Sequence, residues 1–296
     1  MTSASAQPFI LKPPMTCGLS LSYALANGAD AHAALHALRD GFDPGWGTLG
    51  VGEPLARALG RQVPGLRPFP AMSAPGCGVP STQQPLWILL TARDPGGIFD
   101  IFRKVEALAG EAFVLADSMP TFIYADSRDL TGYEDGTENP KGKAGAAAAV
   151  VAAGKGLAGS SYVAVQRWEH DLDHFNGHSQ RVRDAIVGRR RSDNAELARA
   201  PVTAHVKRAA QEDYDPPAFM VRRSMPWATV WGQGLEFIAY GHSLDAYEQV
   251  LHRMAGLDDG KVDALFSFSR PVTGGYYWCP PVRSGKLDLG ILGLSV

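Results

Sequence analysis

The sequence predicts an α+β fold in which helices pack against antiparallel sheets. An apolar run leading into a capped, amphipathic segment occurs once in each half of the chain, and further strand-like runs flank the second copy. The two units have the look of a duplication. With 296 residues and 45% hydrophobic content, the chain can bury one large core or two smaller ones.

Taken in order, His32 and His36 lie four apart in an alanine-rich stretch expected to be helical, a spacing that suits a metal but more often decorates a helix surface. Leu86 to Ala92 is apolar enough to be a buried strand, and Asp94-Pro95 after it offers an N-cap and a first-turn proline. Ile98, Ile101, Phe102, Val105 and Leu108 then share one helical face, which Gly110 is placed to end. Lys141 to Leu157, dominated by alanine, glycine and lysine, reads equally as a flexible connector or a short helix. Ser161 to Gln166 and Phe219 to Arg222 read as antiparallel partner strands. Leu235 to Tyr240 is the second apolar strand, followed by Ser243 as a cap and by Leu244, Tyr247, Leu251 and Met254 as a helical face closed by Gly256.

Charge and cysteine usage exclude several classes. Lysines and arginines number 28 against 30 acids, a formal net charge of -2, which argues against nucleic-acid binding and a polybasic membrane anchor. Cys17, Cys77 and Cys279 are scattered and odd in number, so neither a disulfide framework nor a zinc site is expected. Met1 to Gln7 lacks a basic and apolar leader pattern, and no stretch approaches the roughly 20 apolar residues of a membrane span. A cytoplasmic location is expected.

The most informative stretch is Gly132-Tyr133-Glu134-Asp135-Gly136-Thr137-Glu138-Asn139-Pro140, which sets a carboxylate between two glycines. Further along come a lone imidazole in Thr203-Ala204-His205-Val206 and the pair Arg222-Arg223 before Ser224-Met225-Pro226. An acid, a neutral nitrogen ligand and a fixed cation are the parts that peroxide chemistry at a haem iron requires. Each has an ordinary reading too. Asp-Gly is a common turn, a single His is often structural, and paired arginines suit a solvated strand edge.

The order and flanks of these motifs carry a resemblance. The segments Asp129 to Pro140, Ser161 to Leu172 and Arg222 to Pro226, with Val187-Gly188-Arg189, Pro271-Val272-Thr273-Gly274-Gly275-Tyr276 and Arg67-Pro68-Phe69-Pro70, resemble the dye-decolorising peroxidases, particularly the compact bacterial class B type. The likeness runs through nearly the whole chain. It implies a duplicated ferredoxin-like fold, two antiparallel sheets with peripheral helices, divided into an N-terminal subdomain over residues 1–145 and a haem-binding one over 146–296. It further implies one haem b per chain, non-covalent since no CxxCH is present, with hydrogen peroxide and small aromatic donors as substrates, and a homo-oligomer as the working form.

The resemblance assigns the site residues. His205 is the axial iron ligand, Asp135 the proton shuttle and Arg222 the cation at the departing oxygen. Gly136, Thr137, Glu138 and Asn139 supply close backbone approach, Arg189 meets a propionate, and Ser224, Leu235 and Phe237 line the haem pocket. In an extended strand Arg223 faces away from Arg222, and Leu235 and Phe237 share a face. An ordinary aspartate remains a base in weak acid, where a histidine would be protonated, so an acidic activity optimum is expected. Asp263 reads equally as the partner of His205 or as an exposed helix acid.

Other functions stay open. A haem-handling protein would bind porphyrin with only incidental turnover. A non-haem metalloprotein would use His170, His174 and His178, which would share a stripe only if Leu172 to Arg189 were one continuous helix, and Asn176-Gly177 interrupts such a helix. Trp168, Trp227, Trp231, Tyr133 and Tyr240 are candidate electron relays, although aromatic strand residues are more often packing residues. Leu287 to Leu294 loosely resembles the apolar tails that dock related peroxidases in encapsulin shells, against the plainer reading of a packed terminus.

Overall fold

In the computed structural model, which describes residues 4–294, each half of the chain builds a four-stranded antiparallel sheet. The first half runs α1 (Pro8–Leu11), β1 (Cys17–Leu25), α2 (Ala31–Gly41), β2 (Gly47–Gly52), α3 (Glu53–Ala58), β3 (Met72–Ala74), β4 (Cys77–Val79), β5 (Leu86–Ala92), α4 (Pro95–Ala109) and β6 (Phe113–Phe122). β5 is the predicted apolar run and is buried throughout. α4 begins where the Asp94 carboxylate accepts the Gly97 N–H at 2.9 Å, with proline in its first turn, and stops at Gly110. α2 turns Ala34, Leu35 and Leu38 inward and leaves His32 and His36 exposed.

The alanine-rich connector contains a short helix, α5 (Gly142–Ala149), which spans residue 145. The second half continues β7 (Ser161–His170), α6 (Leu172–Gly177), α7 (Gln180–Val187), α8 (His205–Arg208), β8 (Val221–Arg222), β9 (Met225–Thr229), β10 (Gly232–Gly241), α9 (Asp245–Met254), β11 (Ser269–Pro271), β12 (Gly275–Cys279), β13 (Val282–Arg283) and β14 (Lys286–Leu287).

Strand order is β6-β1-β5-β2 in the first half and β12-β7-β10-β8 in the second, with β9 and β11 pairing with β10 and β7. Each half thus places its last strand beside its first and its third beside its second, the ferredoxin-like order. The two sheets meet edge to edge where β12 pairs with β2, Tyr277 opposite Gly52 and Trp278 opposite Val51, so ten strands hydrogen-bond as one surface. This junction covers two edges that would otherwise expose unpaired backbone. Leu35, Leu38, Leu90, Tyr247 and Leu251 belong to the main core, while Trp87, Val163, Ile238, Tyr240 and Tyr277 form a second cluster.

One local expectation is corrected. Ser243 does not cap α9: the helix starts at Asp245 with Leu244 in the capping position, and the Ser243 hydroxyl accepts the Asp245 N–H at 3.3 Å. Leu172 to Arg189 is not one helix, because the chain leaves α6 at His178 and restarts at Gln180. His170 lies on β7, so the three imidazoles form no stripe, and no grouping of three or more His, Cys, Asp or Glu suited to a metal occurs among the described residues. In the tail, Leu287, Leu289, Leu292 and Leu294 are buried, so shell docking would require them to leave the core. Among the described residues no helix is long and apolar enough to cross a membrane.

Candidate active site

The second half opens a cavity between its sheet and the segments that cover it. β7 contributes Gln166, Trp168 and His170, β10 contributes Leu235 and Phe237, and α9 contributes Tyr247, Val250, Leu251 and Met254. The period-2 spacing on the strands and the helical spacing on α9 put these side chains on facing surfaces. About 980 Å³ of empty space lies within, counting the open mouth.

Into this largely apolar space project Asp135, His205 and Arg222 from three separate segments. His205 opens α8, and its Nδ1 is 2.8 Å from Asp263 Oδ2. Asp263 is itself fully buried, and its other oxygen accepts the Leu265 N–H at 2.8 Å. Of the two readings of Asp263, the partner of His205 is therefore the one that the structure contains. A carboxylate only accepts, so Nδ1 carries the proton and Nε2 is the ring nitrogen with a free lone pair. Burial disfavours the charged ring, but the Asp263 carboxylate outweighs it; Arg222 opposes and Asp135 supports the positive form, and the His205 pKa is raised. Asp135 and Arg222 thus act on the same imidazole from across the cavity.

Asp135 lies in a loop whose shape depends on its glycines. Gly136 has φ 67°, and a Cβ there would lie 2.8 Å from Asn139 Nδ2. The Asp135 carboxylate accepts the Gly136 N–H at 2.7 Å. Asn139 then grips β8 at both backbone groups of Arg222: its Oδ1 accepts the Arg222 N–H at 2.8 Å, and its Nδ2 donates to the Arg222 carbonyl at 2.9 Å. The side-chain amide acts as one more strand residue at the sheet edge, locking acid and guanidinium into one unit. Arg222 lines the cavity, and its buried Nε has no hydrogen-bond partner among the described residues. Arg223 faces away and donates to the Leu11 carbonyl, as strand alternation requires.

Other expected residues take different places. Gly136, Thr137, Glu138, Asn139, Arg189 and Ser224 are not among the cavity-lining residues. Thr137 accepts from Asn194 Nδ2 at 2.9 Å, and Glu138 meets Arg189 at 2.8 Å. Arg189 is shared with Glu196 at 3.7 Å, and the Ser224 hydroxyl accepts the Ile238 N–H at 3.3 Å. These contacts tie the loop to its neighbours. The sequence reading overlooked Gln166, His170, Asp129, Met220 and Tyr247 as lining residues. Alternation along Ser161 to His170 was the available signal for Gln166 and His170, whereas nothing local marks Met220.

The cavity suits an apolar, nitrogen-ligated group. It offers one imidazole nitrogen, aromatic and aliphatic walls, and an unpaired buried guanidinium nitrogen.

Comparison with known proteins places the chain in a family. Residues 126–284 match the family model for the C-terminal region of Dyp-type peroxidases. The dye-decolorizing peroxidase of Mycobacterium tuberculosis is 31% identical over 224 residues, covering 73% of this chain and 67% of that protein. That of Mycolicibacterium paratuberculosis is 31% identical over 254 residues, covering 77% and 72%. Among solved structures, a dye-decolorizing protein from V. cholerae superposes with a TM-score of 0.85 at 30% identity, covering 99% of this chain and 100% of that one. DyPB from Rhodococcus jostii gives 0.84 at 27%, covering 93% and 96%, and a variant of it was solved in complex with heme. On sequence and fold together, the chain belongs to the Dyp-type, or dye-decolorising, peroxidase family.

Proposed function

We propose that this protein is a haem peroxidase that reduces hydrogen peroxide and oxidises phenolic or dye-like donors by single electrons, using one non-covalent haem b per chain. The observation that carries the reading is the convergence of His205, Asp135 and Arg222 on one apolar cavity. His205 Nε2 would ligate the iron, Leu235 and Phe237 would flank the porphyrin, and the bound iron would supply the electrons that cleave the O–O bond. Arg189, shared between Glu138 and Glu196, is the proposed cation for a haem carboxylate, with the backbone of Gly136 to Asn139 and Ser224 completing the surround.

The residues' own parts follow from their chemistry. Asp135 takes a proton from one peroxide oxygen and returns it to the other, which turns a poor leaving group into water. Arg222 holds the negative charge that develops as the bond lengthens, and Asn139 fixes the strand backbone that carries it. Asp263 accepts the Nδ1 proton of His205 and so makes Nε2 a stronger donor. The apolar walls keep bulk water from competing with peroxide. A haem carrier has no use for an acid and a guanidinium opposite the ligand.

The strand order supports a first subdomain over residues 1–145 and a haem-holding one over 146–296. Homo-oligomerisation rests on the family resemblance, and cytoplasmic location on the unpaired cysteines. Absorption spectroscopy of the wild type and of His205→Ala, followed by mixing with peroxide, tests the proposal. A Soret band present in the first and lost in the second is expected; a wild type that takes up no haem refutes it.

A further inference from the structure

One buried histidine in the cavity wall has no part in the scheme above. His170 is 5% exposed, with Nδ1 2.7 Å from Ser269 Oγ and Nε2 3.1 Å from Asp129 Oδ2. Asp129 is held in turn by Thr131, whose backbone N–H and hydroxyl donate to Oδ1 at 2.8 and 2.5 Å. Burial alone would raise the Asp129 pKa, but His170 and Thr131 outweigh it and the carboxyl is held below its ordinary value. An ionised Asp129 only accepts, so Nε2 carries the ring proton and Nδ1 accepts from the Ser269 hydroxyl. The hydrogen bonds therefore run in one direction, Ser269 to His170 to Asp129.

The whole row lines the inner cavity, and its Ser269 end also reaches a second space. Asp129 and Thr131 line the cavity that holds Asp135, His205 and Arg222. His170 and Ser269 line it too, but they also line a separate outer cleft with Glu169, Asp171, Phe268 and Arg270. Around the ring stand Asp129 from the loop, Ser269 from β11 and the Phe268 ring at 5.7 Å. At the cleft, Glu169 is paired with Arg270 at 2.8 Å, and Asp171 caps α6 by accepting the His174 N–H at 2.9 Å.

We propose that Ser269, His170 and Asp129 form a proton conduit from the outer cleft to the peroxide cavity. This rests on the peroxidase reading. Reducing one peroxide to two waters consumes two electrons and two protons, and donors too large for the cavity leave their protons outside it. In each transfer Ser269 Oγ gains a proton from cleft water and gives its own to Nδ1, Nε2 passes its proton to Asp129, and Asp129 releases one to the cavity. As many O–H and N–H bonds form as break and one proton crosses the wall; the ring, left with its proton on Nδ1, returns to the starting tautomer by exchange with cleft water, Nε2 taking up one proton as Nδ1 gives one up. His170 acts through Asp129 and touches no reacting atom.

The test uses the haem-loaded protein, with His170→Ala, His170→Gln and Ser269→Ala beside the wild type. The Gln amide can bond to both neighbours but cannot relay a proton. Rates of peroxide-dependent oxidation of a bulky anthraquinone dye are measured across pH, in H2O and D2O, with and without added imidazole, while haem absorbance and thermal unfolding are followed separately. Both His170 variants should keep haem absorbance, lose about 10-fold or more in rate and show an enlarged solvent isotope effect, with imidazole restoring His170→Ala in part. Ser269→Ala should lose less, in the same direction. A His170→Gln variant with the wild-type rate and isotope effect would overturn the conduit, as would a loss in His170→Ala that imidazole does not restore. A wild type without haem absorbance or turnover refutes the peroxidase reading instead.

Discussion

The two halves share one strand order, and the second opens a cavity bearing an acid, an imidazole and a guanidinium. In the first half, the crossover from β1 to β2 is a single helix, α2, whose Leu35 and Leu38 close over the sheet together with Val105 from α4. In the second, the crossover from β7 to β8 is residues 171–220, three short α-helices, a 3-10 turn at Gln211–Asp213 and long irregular runs. That replacement removes a helix from the sheet face, leaves Gln166, Trp168, Leu235 and Phe237 facing the cavity, and brings His205 to it. The lesson is that the frame was kept and one crossover was changed to make room for chemistry.

This contrast can be broken by substitution. The largest effect belongs to His205→Ala, which should abolish the Soret band while the first half stays folded, as read by circular dichroism. Arg222→Ala should retain haem and slow peroxide reduction by roughly two to three orders of magnitude, far more than Arg223→Ala, in stopped-flow mixing. Asp263→Asn should weaken iron ligation about 10- to 100-fold, measured by haem transfer to an acceptor.

Leu35→Ala in the first half should cost about 2–5 kcal/mol in denaturant unfolding and leave the rate per bound haem unchanged. An equal loss of rate there would mean that the halves are coupled more tightly than their shared edge indicates. The smallest effect is that of Asp129→Asn, about 1–3 kcal/mol at neutral pH. Because the Asp129 pKa is lowered in the folded state, its contribution is full above the ordinary value of 3.8 and disappears as pH falls through the lowered one. Wild type and variant should therefore converge in strong acid and separate above pH 3.8, as acid-unfolding curves will show.

The sequence by itself determined the repeated strand-helix units, because burial periodicity and capping are local: β5, α4 and β10 appear where their apolar patterns end, and Arg222 and Arg223 diverge by strand alternation alone. It also carried His205, Asp135 and Arg222, through motif order and flanks. Tertiary structure decided what neighbours do to each group. It made Asp263 a buried partner of His205, turned Asn139 into the clamp on Arg222, gave Arg189 to Glu138 and Glu196, and placed His170 between two spaces. Apart from the Arg189–Glu196 pair, those outcomes join residues tens of positions apart, and hydrogen bonding at such separations depends on how the sheet and its crossover pack, which no local pattern records.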